Sequence, residues 1–420
     1  MKVTIEKSDI KGRVPAPPSK SYTIRGLMCA ALACGESEII NPLRADDTEA
    51  AVRVLDNIGV GVARVKDTWR ISGGDFHPPE GDLYCGDSAA TLRFMTAVCS
   101  LVPGKCRLTA GPSLAKRPVG PLVEALQRIG VDCSADNGLA PVVVNGGRLK
   151  GGETELPGDV SSQFVSALLL VSPLAGEGMH IRLTTPLKSK PYVAMTLECM
   201  AGFGVKVEAS AEMDDFHTFR QAYQPARYEV EGDWSSASYF LALGAVSGGV
   251  ETVNLNPQSL QSDRIMLDFL ARMGADVKIS LDAIKVKRSR LKALRADLSD
   301  CIDLLPTMAV LAAVAEGTSE LTGISRARIK ESDRIAAVRE GLEKMEIKVA
   351  EEKDRLLITG SNLKGAVIDS HDDHRIAMAF GILGTLVGST TINNAECVRK
   401  TFPEFWAILE SIGGRLKADG

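Results

Sequence analysis

Six copies of one unit, each roughly seventy residues long, leave this chain few ways to fold. Glycines that close apolar runs recur at Gly35, Gly104, Gly176, Gly248, Gly317 and Gly388, at intervals of 69 to 72 residues. A short polar start precedes each, at Ser21, Ser88, Ser161-Ser162, Ser235-Ser236, Asp303 and Asp372-Asp373. Ser and Asp at such positions accept hydrogen bonds from the open N–H groups of a helix's first turn, and Gly just past the last turn ends it. The spacing therefore predicts one apolar helix per unit. A second signature interleaves with the first: an amphipathic helix that closes at Gly59, Gly130, Gly204, Gly274, Glu346 and Gly413, followed by a short alternating strand. Glu346 is the odd member of that series.

The first helix of each unit is apolar nearly all round, as in residues 167–171 (Ala-Leu-Leu-Leu-Val) and 308–313 (Met-Ala-Val-Leu-Ala-Ala). Such a helix has to be buried on every side, whereas the amphipathic second helix covers one face of a sheet. Buried helices surrounded by sheets give an inside-out α/β arrangement. A chain of 420 residues exceeds a comfortable single core, so two domains are expected, with three units in each. Residues 13–227 are expected to form the N-terminal domain. Residues 1–12, a short strand, and 228–420 form the C-terminal one, with the aperiodic segment 211–227 as the crossing. Side-by-side inner helices would bring their N-termini out together at one end of each domain. Two such ends facing each other would make an inter-domain cleft with converging positive dipoles.

Composition narrows the function. The net charge of −4 argues against general nucleic-acid affinity, which needs a basic face, yet leaves room for a local cationic pocket. No apolar run approaches the length of a membrane span. The first six residues alternate like a strand and do not resemble a signal peptide. Nine cysteines, an odd number without a close pairing motif, suggest a reducing compartment, so a cytoplasmic location is expected.

The helix starts are not copies of one another. The first reads Pro17-Pro18-Ser19-Lys20-Ser21, with Arg25 about one turn inside; the second has Asp87, Ser88 and Arg93; the third has Ser161-Ser162-Gln163. Asp303 stands at the fifth, and Asp373-His374-Arg375 at the sixth. Between them lie Lys116-Arg117-Pro118, Lys188-Ser189-Lys190-Pro191-Tyr192, Lys330-Glu331-Ser332-Asp333-Arg334 and Arg399-Lys400-Thr401-Phe402-Pro403. Any one of these Ser or Asp residues serves first as a cap, and Lys330–Arg334 alone reads as a solvated charge run. Together, cations at many separated positions suit an anionic, phosphate-bearing substrate, and interspersed carboxylates beside a Lys suit proton transfer. His371-Asp372-Asp373-His374 invites a metal reading, but no Cys or Glu cluster supports it and the two Asp also serve as caps. Gly59-Val60-Gly61 and Gly202-Phe203-Gly204 follow helices, so they are not dinucleotide fingerprints.

Taken in order, these motifs, with Val160-Ser161-Ser162-Gln163-Phe164 and Ser189-Lys190-Pro191-Tyr192 among them, resemble the 5-enolpyruvylshikimate-3-phosphate synthase family. The resemblance covers essentially the whole chain. It implies a two-domain inside-out α/β barrel of six βαβαββ units, three per domain. It also implies a monomer that closes on shikimate 3-phosphate and phosphoenolpyruvate and needs neither cofactor nor metal. By the same resemblance Lys20, Ala89, Arg117, Gln163, Arg334, Arg375 and Lys400 would line the phosphoenolpyruvate site. Lys20, Ser21, Arg25, Ser161, Ser162, Gln163, Ser189, Asp303 and Lys330 would hold shikimate 3-phosphate. Asp303 matches the family's proton acceptor, Glu331 is the candidate proton donor, and Lys20 and His374 stand beside the reacting atoms. The related enolpyruvyl transferases acting on UDP-N-acetylglucosamine carry a reactive Cys where this chain reads Gly111-Pro112-Ser113-Leu114-Ala115-Lys116-Arg117. RNA terminal-phosphate cyclases share the small repeat, but nothing here suggests a nucleic-acid groove. A non-catalytic repeat scaffold would have uniform helix starts, which this chain lacks.

Three departures from the family pattern cluster at the second helix start: Asp87 where Asn is common, and Ala89 and Ala90 where Gly and Thr are common. Asp87 in an anion site calls for a cationic partner, for which Arg93 is the candidate. Arg326 replaces a common Asn, and that contact is not carried over. The methyl group of Ala89 would narrow the phosphoenolpyruvate pocket, so inhibitors slightly longer than the substrate, glyphosate being the family's known case, are expected to bind weakly. An Ala89→Gly variant should then be inhibited at lower glyphosate concentration in a turnover assay, and an unchanged inhibition curve refutes the reading.

Overall fold

In the computed structural model, which describes residues 1–419, each repeat contributes a four-stranded sheet and an inner helix. The second repeat shows the plan: strand Leu83–Tyr84, inner helix Ala89–Val98, strand Gly104–Thr109, outer helix Gly120–Arg128, then the hairpin of Asp132–Asp136 and Leu139–Gly146. The two strands joined through the inner helix pair in parallel, as a helical crossover requires, and the hairpin adds antiparallel. The third and fifth repeats follow the same order.

The other three repeats complete their sheets with strands from elsewhere in the chain. The sixth takes the N-terminal strand Lys2–Glu6, which pairs with both Thr390–Asn393 and Arg415–Asp419. The first and fourth exchange their opening strands. Ile10–Pro15 precedes the inner helix Lys20–Leu32 but lies parallel to Gly248–Val253; Arg227–Glu229 precedes the inner helix Trp234–Ser247 but lies parallel to Gly35–Ile40. The chain divides accordingly into residues 18–231 and residues 1–17 with 232–420. Bounds at 13 and 228, expected from the sequence, each cut through one of the exchanged strands. A strand leaves its ladder only at its end, so both crossings fall a few residues later. Residues 1–12 hold one whole strand and the start of another. Within 211–227, residues 215–218 belong to the third sheet rather than to a crossing, because Asp215–Thr218 pairs with Met179–Leu183.

Each unit has its own core. In the unit of residues 1–17 and 232–420, the inner helices Trp234–Ser247, Leu305–Val314 and His374–Val387 pack pairwise against one another. All ten residues of Ala89–Val98 and all fourteen of Trp234–Ser247 are buried, as their all-round apolarity demands. The sheets lie outside these helices and alternate in burial: in Met179–Leu183, Met179 and Ile181 are buried while Arg182 is exposed. Caps sit close to the expected starts. Ser19, Ser161, Asp233 and Asp373 accept backbone hydrogen bonds from Tyr22, Gln163, Ser236 and Arg375. Asp303 instead lies in a 3-10 turn, Ile302–Leu304, ahead of Leu305–Val314. The second series of closing residues is left-handed throughout, with φ of 97°, 82°, 82°, 85° and 106° at the five glycines and 67° at Glu346. Glu346 therefore adopts the conformation its position requires despite its side chain, and its carboxylate holds Lys364 at 2.8 Å.

Gly341 in the outer helix Arg334–Lys344 faces the inner helix His374–Val387, and an added Cβ there would lie 2.3 Å from the buried Phe380 ring. Gly341→Ala adds helix propensity worth about 1 kcal/mol but overpacks the contact with His374–Val387. We expect a net loss of about 1–3 kcal/mol in denaturant unfolding. A stabilised variant would show that the two helices can move apart.

Candidate active site

In residues 18–231 polar side chains tie the starts of the inner helices together. Lys20, the first residue of its helix, places Nζ 3.1 Å from Asp47 Oδ2 in the first turn of Asp46–Asp56. Thr91 Oγ1 in turn donates to the Asp47 carbonyl at 3.4 Å. One turn into Ala89–Val98, Arg93 donates to Gln163 Oε1 at 2.7 Å, to Ser161 Oγ at 3.2 Å and to the Pro118 carbonyl at 3.1 Å, with its guanidinium 4.9 Å above the Phe164 ring. Because Arg93 occupies the amide oxygen of Gln163, the NH₂ group is the end turned to other partners. Ser162 is buried at the same helix start.

Arg25 is buried. It donates to Thr196 Oγ1 at 2.8 Å and to the carbonyls of Ser21 and Tyr192, both at 3.0 Å, and it lies 5.5 Å above the Phe94 ring. Burial works against its charge, and none of these partners is a carboxylate. A buried guanidinium held by neutral groups is complemented by an incoming anion. Ser189, at φ 57°, stands at the N-cap position of Lys190–Gly202, with Pro191 in its first turn. Arg117 is buried directly after the 3-10 turn Leu114–Lys116. Asp87 accepts the backbone N–H groups of Ser113 and Leu114 at 3.1 and 2.9 Å, so it holds the loop that leads to Arg117. Arg93, its expected cationic partner, donates to Gln163, Ser161 and Pro118 as described above. Ala89 is buried in the first turn.

The other unit concentrates charge more densely. Arg334, fully buried, donates to Asp303 Oδ1 at 2.7 Å, Glu331 Oε2 at 2.6 Å and Asp373 Oδ2 at 2.7 Å. Asp303 also receives Arg375 at 3.1 Å and Lys330 at 3.3 Å, and Lys400 lies 3.9 Å from Glu331. Burial opposes the charge on Arg334, but Asp373, Glu331 and Asp303 outweigh it and hold the guanidinium firmly protonated. Burial likewise acts to raise Asp303, yet Arg375, Lys330 and Arg334 prevail and hold its carboxyl well below the usual range. Arg326 donates to the Ser299 carbonyl.

The structure thus brings Asp303, Lys330, Glu331, Arg334, Arg375 and Lys400 into one group, and Lys20, Gln163, Ser161 and their supports into another. His374 differs from its expected place: it is fully enclosed at the start of His374–Val387, with Nδ1 3.8 Å from Asp373 Oδ1. The ring is enclosed beside Asp373, which makes it a support for that carboxylate. The same helix start explains why His371-Asp372-Asp373-His374 does not converge on a metal: Asp373 caps the helix and grips Arg334, while His371 pairs with Glu340 at 3.3 Å. Sequence reading named Arg93 only as a partner for Asp87, and it missed Asp47, Asp373 as an arginine partner, and Asp263. Asp263 bonds Ser235, and burial with the nearby Asp303 pushes it up to about 6. Arg93 was visible as a lone cation in the run Leu92-Arg93-Phe94; Asp263 had no local signal.

The family model described as EPSP synthase (3-phosphoshikimate 1-carboxyvinyltransferase) matches residues 5–409. Over the full length of both chains, the sequence is 50% identical to a 3-phosphoshikimate 1-carboxyvinyltransferase of Dehalococcoides mccartyi. It is 42% identical to the protein of that name from Methanosarcina mazei, covering 99% of each chain. Among solved structures, an EPSP synthase from Acinetobacter baumannii superposes with a TM-score of 0.85 at 26% identity, covering all of both chains.

The cations around Asp303 set a pH dependence. Its folded carboxyl titrates below the unfolded value of about 3.9, so its contribution to stability is complete above that pH and is lost as pH falls through the folded pKa. Urea unfolding measured from neutral pH down to about pH 3 should therefore show a steeper acid loss in the wild type than in Asp303→Asn. Parallel curves would mean that the three cations do not act on this group.

Proposed function

Because the chain belongs to the EPSP synthase (3-phosphoshikimate 1-carboxyvinyltransferase) family, we propose a division of labour among its own residues for that family's reaction. The enzyme transfers the enolpyruvyl group of phosphoenolpyruvate to the 5-hydroxyl of shikimate 3-phosphate and releases phosphate, a step of aromatic amino acid biosynthesis. In the addition, the methylene carbon gains a proton while the hydroxyl oxygen bonds to the adjacent carbon. In the elimination, the new methyl group loses a proton and the C–O bond to phosphate breaks. One base, one acid that can reverse its role, and clamps for two anions are therefore needed.

The grouping of Asp303 with Lys330, Arg334 and Arg375 carries the proposal. Asp303 accepts the hydroxyl proton. Held by three cations, it is a weak base until substrate anions engage Arg334 and Arg375; the loss of those partners raises its basicity where the hydroxyl sits. Glu331, largely enclosed and bonded to Arg334, delivers the proton to the methylene carbon and recovers it on elimination. Arg334, Arg375, Lys400, Lys20, Arg117 and Gln163 hold phosphoenolpyruvate beside Ala89. Arg25, Ser21, Ser161, Ser162, Ser189, Lys20, Gln163 and Lys330 hold shikimate 3-phosphate, with Arg25 supplying the buried cation. His374 acts through Asp373 rather than on substrate. The enzyme acts as a cytoplasmic monomer. No helix among the described residues is long and apolar enough to cross a membrane.

Phosphate release with both substrates, and its absence when either is omitted, is the basic assay; release with UDP-N-acetylglucosamine in place of shikimate 3-phosphate would overturn the substrate reading. Asp303→Asn and Glu331→Gln should each lower kcat by about 10²–10⁴-fold. In D₂O, Glu331→Gln should also abolish deuterium entry into the methylene group. Retained exchange in that variant would move the acid role elsewhere.

A further inference from the structure

The third repeat's sheet carries on its outer face a group of side chains that the enolpyruvyl transfer does not use. Strand Gly152–Leu156 pairs parallel with Met179–Leu183, and Asp215–Thr218 pairs antiparallel with it on the other side. Successive residues of a strand point to opposite faces. Thr154, Met179, Ile181, Phe216 and Thr218 turn inward and are buried. The register sets Glu153 beside His180 and His180 opposite His217, with Asp215 two residues before His217 on the same face.

The side chains converge. His180 and His217 stack with ring centroids 3.7 Å apart and planes 21° from parallel. Asp215 lies between their Nε2 atoms, with Oδ2 2.9 Å from His180 and Oδ1 3.2 Å from His217. One donor atom from each of the three lies within 4.8 Å of the others. Ligands about 2.0–2.1 Å from a tetrahedral zinc ion stand about 3.3 Å apart, so the three donors are within reach of one ion once the stacked rings, which now contact separate oxygens of Asp215, rotate to face it. His180 Nδ1 faces Glu153 Oε1 at 3.7 Å, and Glu153 is held by Arg182 at 2.9 Å. A carboxylate behind the second nitrogen of a ligating imidazole fixes the ring and raises its basicity.

We propose that His180, Asp215 and His217 form a site for one divalent transition-metal ion of the zinc class, with Glu153 orienting His180. Two imidazoles and one carboxylate suit zinc and its neighbours rather than magnesium or calcium, which take oxygen ligands. His217 is half exposed and Asp215 partly exposed, so the ion enters from solvent and keeps water in its remaining position. Bound there, it cross-links Met179–Leu183 to Asp215–Thr218. Its role is to brace this sheet; none of the three residues is assigned to the reaction.

The test is a titration of the full-length, metal-free protein with zinc chloride, followed by calorimetry and by the imidazole ¹H–¹⁵N signals of the chain's five histidines. We expect one equivalent bound at micromolar zinc, the ring signals of His180 and His217 moving together, a rise in unfolding temperature, and reversal by chelator. His217→Ala and Asp215→Asn should each weaken this binding at least tenfold and remove the thermal shift, with turnover unchanged. Zinc binding that leaves those two rings unmoved belongs to other groups, such as the exposed Cys34, and overturns the proposal. So does equal affinity in both variants or the absence of saturable binding in the wild type, and the wild-type ring signals decide even where a variant fails to fold.

Discussion

A helix that is apolar on every side has to be surrounded, and this single requirement, met six times, organises the molecule. Sheets and outer helices must lie around the inner helices, because only their apolar faces can cover them. Once three such helices pack side by side, their first turns gather at one end, where unpaired N–H groups and the positive ends of the dipoles collect. Chemistry is then a matter of what each first turn bears. In one unit the link runs from Lys20 through Asp47 and Thr91, and from Arg93 to Ser161 and Gln163; in the other it runs from Asp303 to Arg375 and Arg334.

The cationic group around Arg334 is not simply a positive pocket. Four cations and three carboxylates interleave, so most of the charge is already compensated before any substrate arrives. Compensation of this kind keeps buried charges tolerable in the resting enzyme. It also leaves each carboxylate's basicity dependent on where its cations are engaged. Arg25 follows the opposite logic: buried among neutral acceptors and an aromatic face, it reserves its charge for an anion.

Much of this was legible from residue order. The glycine and Ser/Asp spacings located every inner helix, and the uneven helix starts located the reactive residues. What escaped was non-local. A strand's alternation says which face is buried but not which sheet it joins, so the exchange of Ile10–Pro15 and Arg227–Glu229 could not be read from either segment. Arg93 looked like a candidate partner for Asp87 because the two are close in sequence; its bonds to Ser161 and Gln163, about seventy residues on, and to the Pro118 carbonyl had no local signal. His180 and His217 share no motif spacing and meet only through sheet register. His374 sat in a suggestive motif, and only helix phase turned it inward.

The exchanged strands bear on how the chain assembles. Residues 1–17 are made before their partners: Lys2–Glu6 finds its neighbours at Thr390–Asn393 and Arg415–Asp419, and Ile10–Pro15 waits for Gly248–Val253. Residues 18–231 contain all the strands of their three sheets and can close while the rest is still being made. The N-terminal tail then stays open, an unpaired template in the nascent polypeptide, until the last repeat arrives. Lys2–Glu6 is thus locked in late, sewn into one ladder with a strand more than four hundred residues further along.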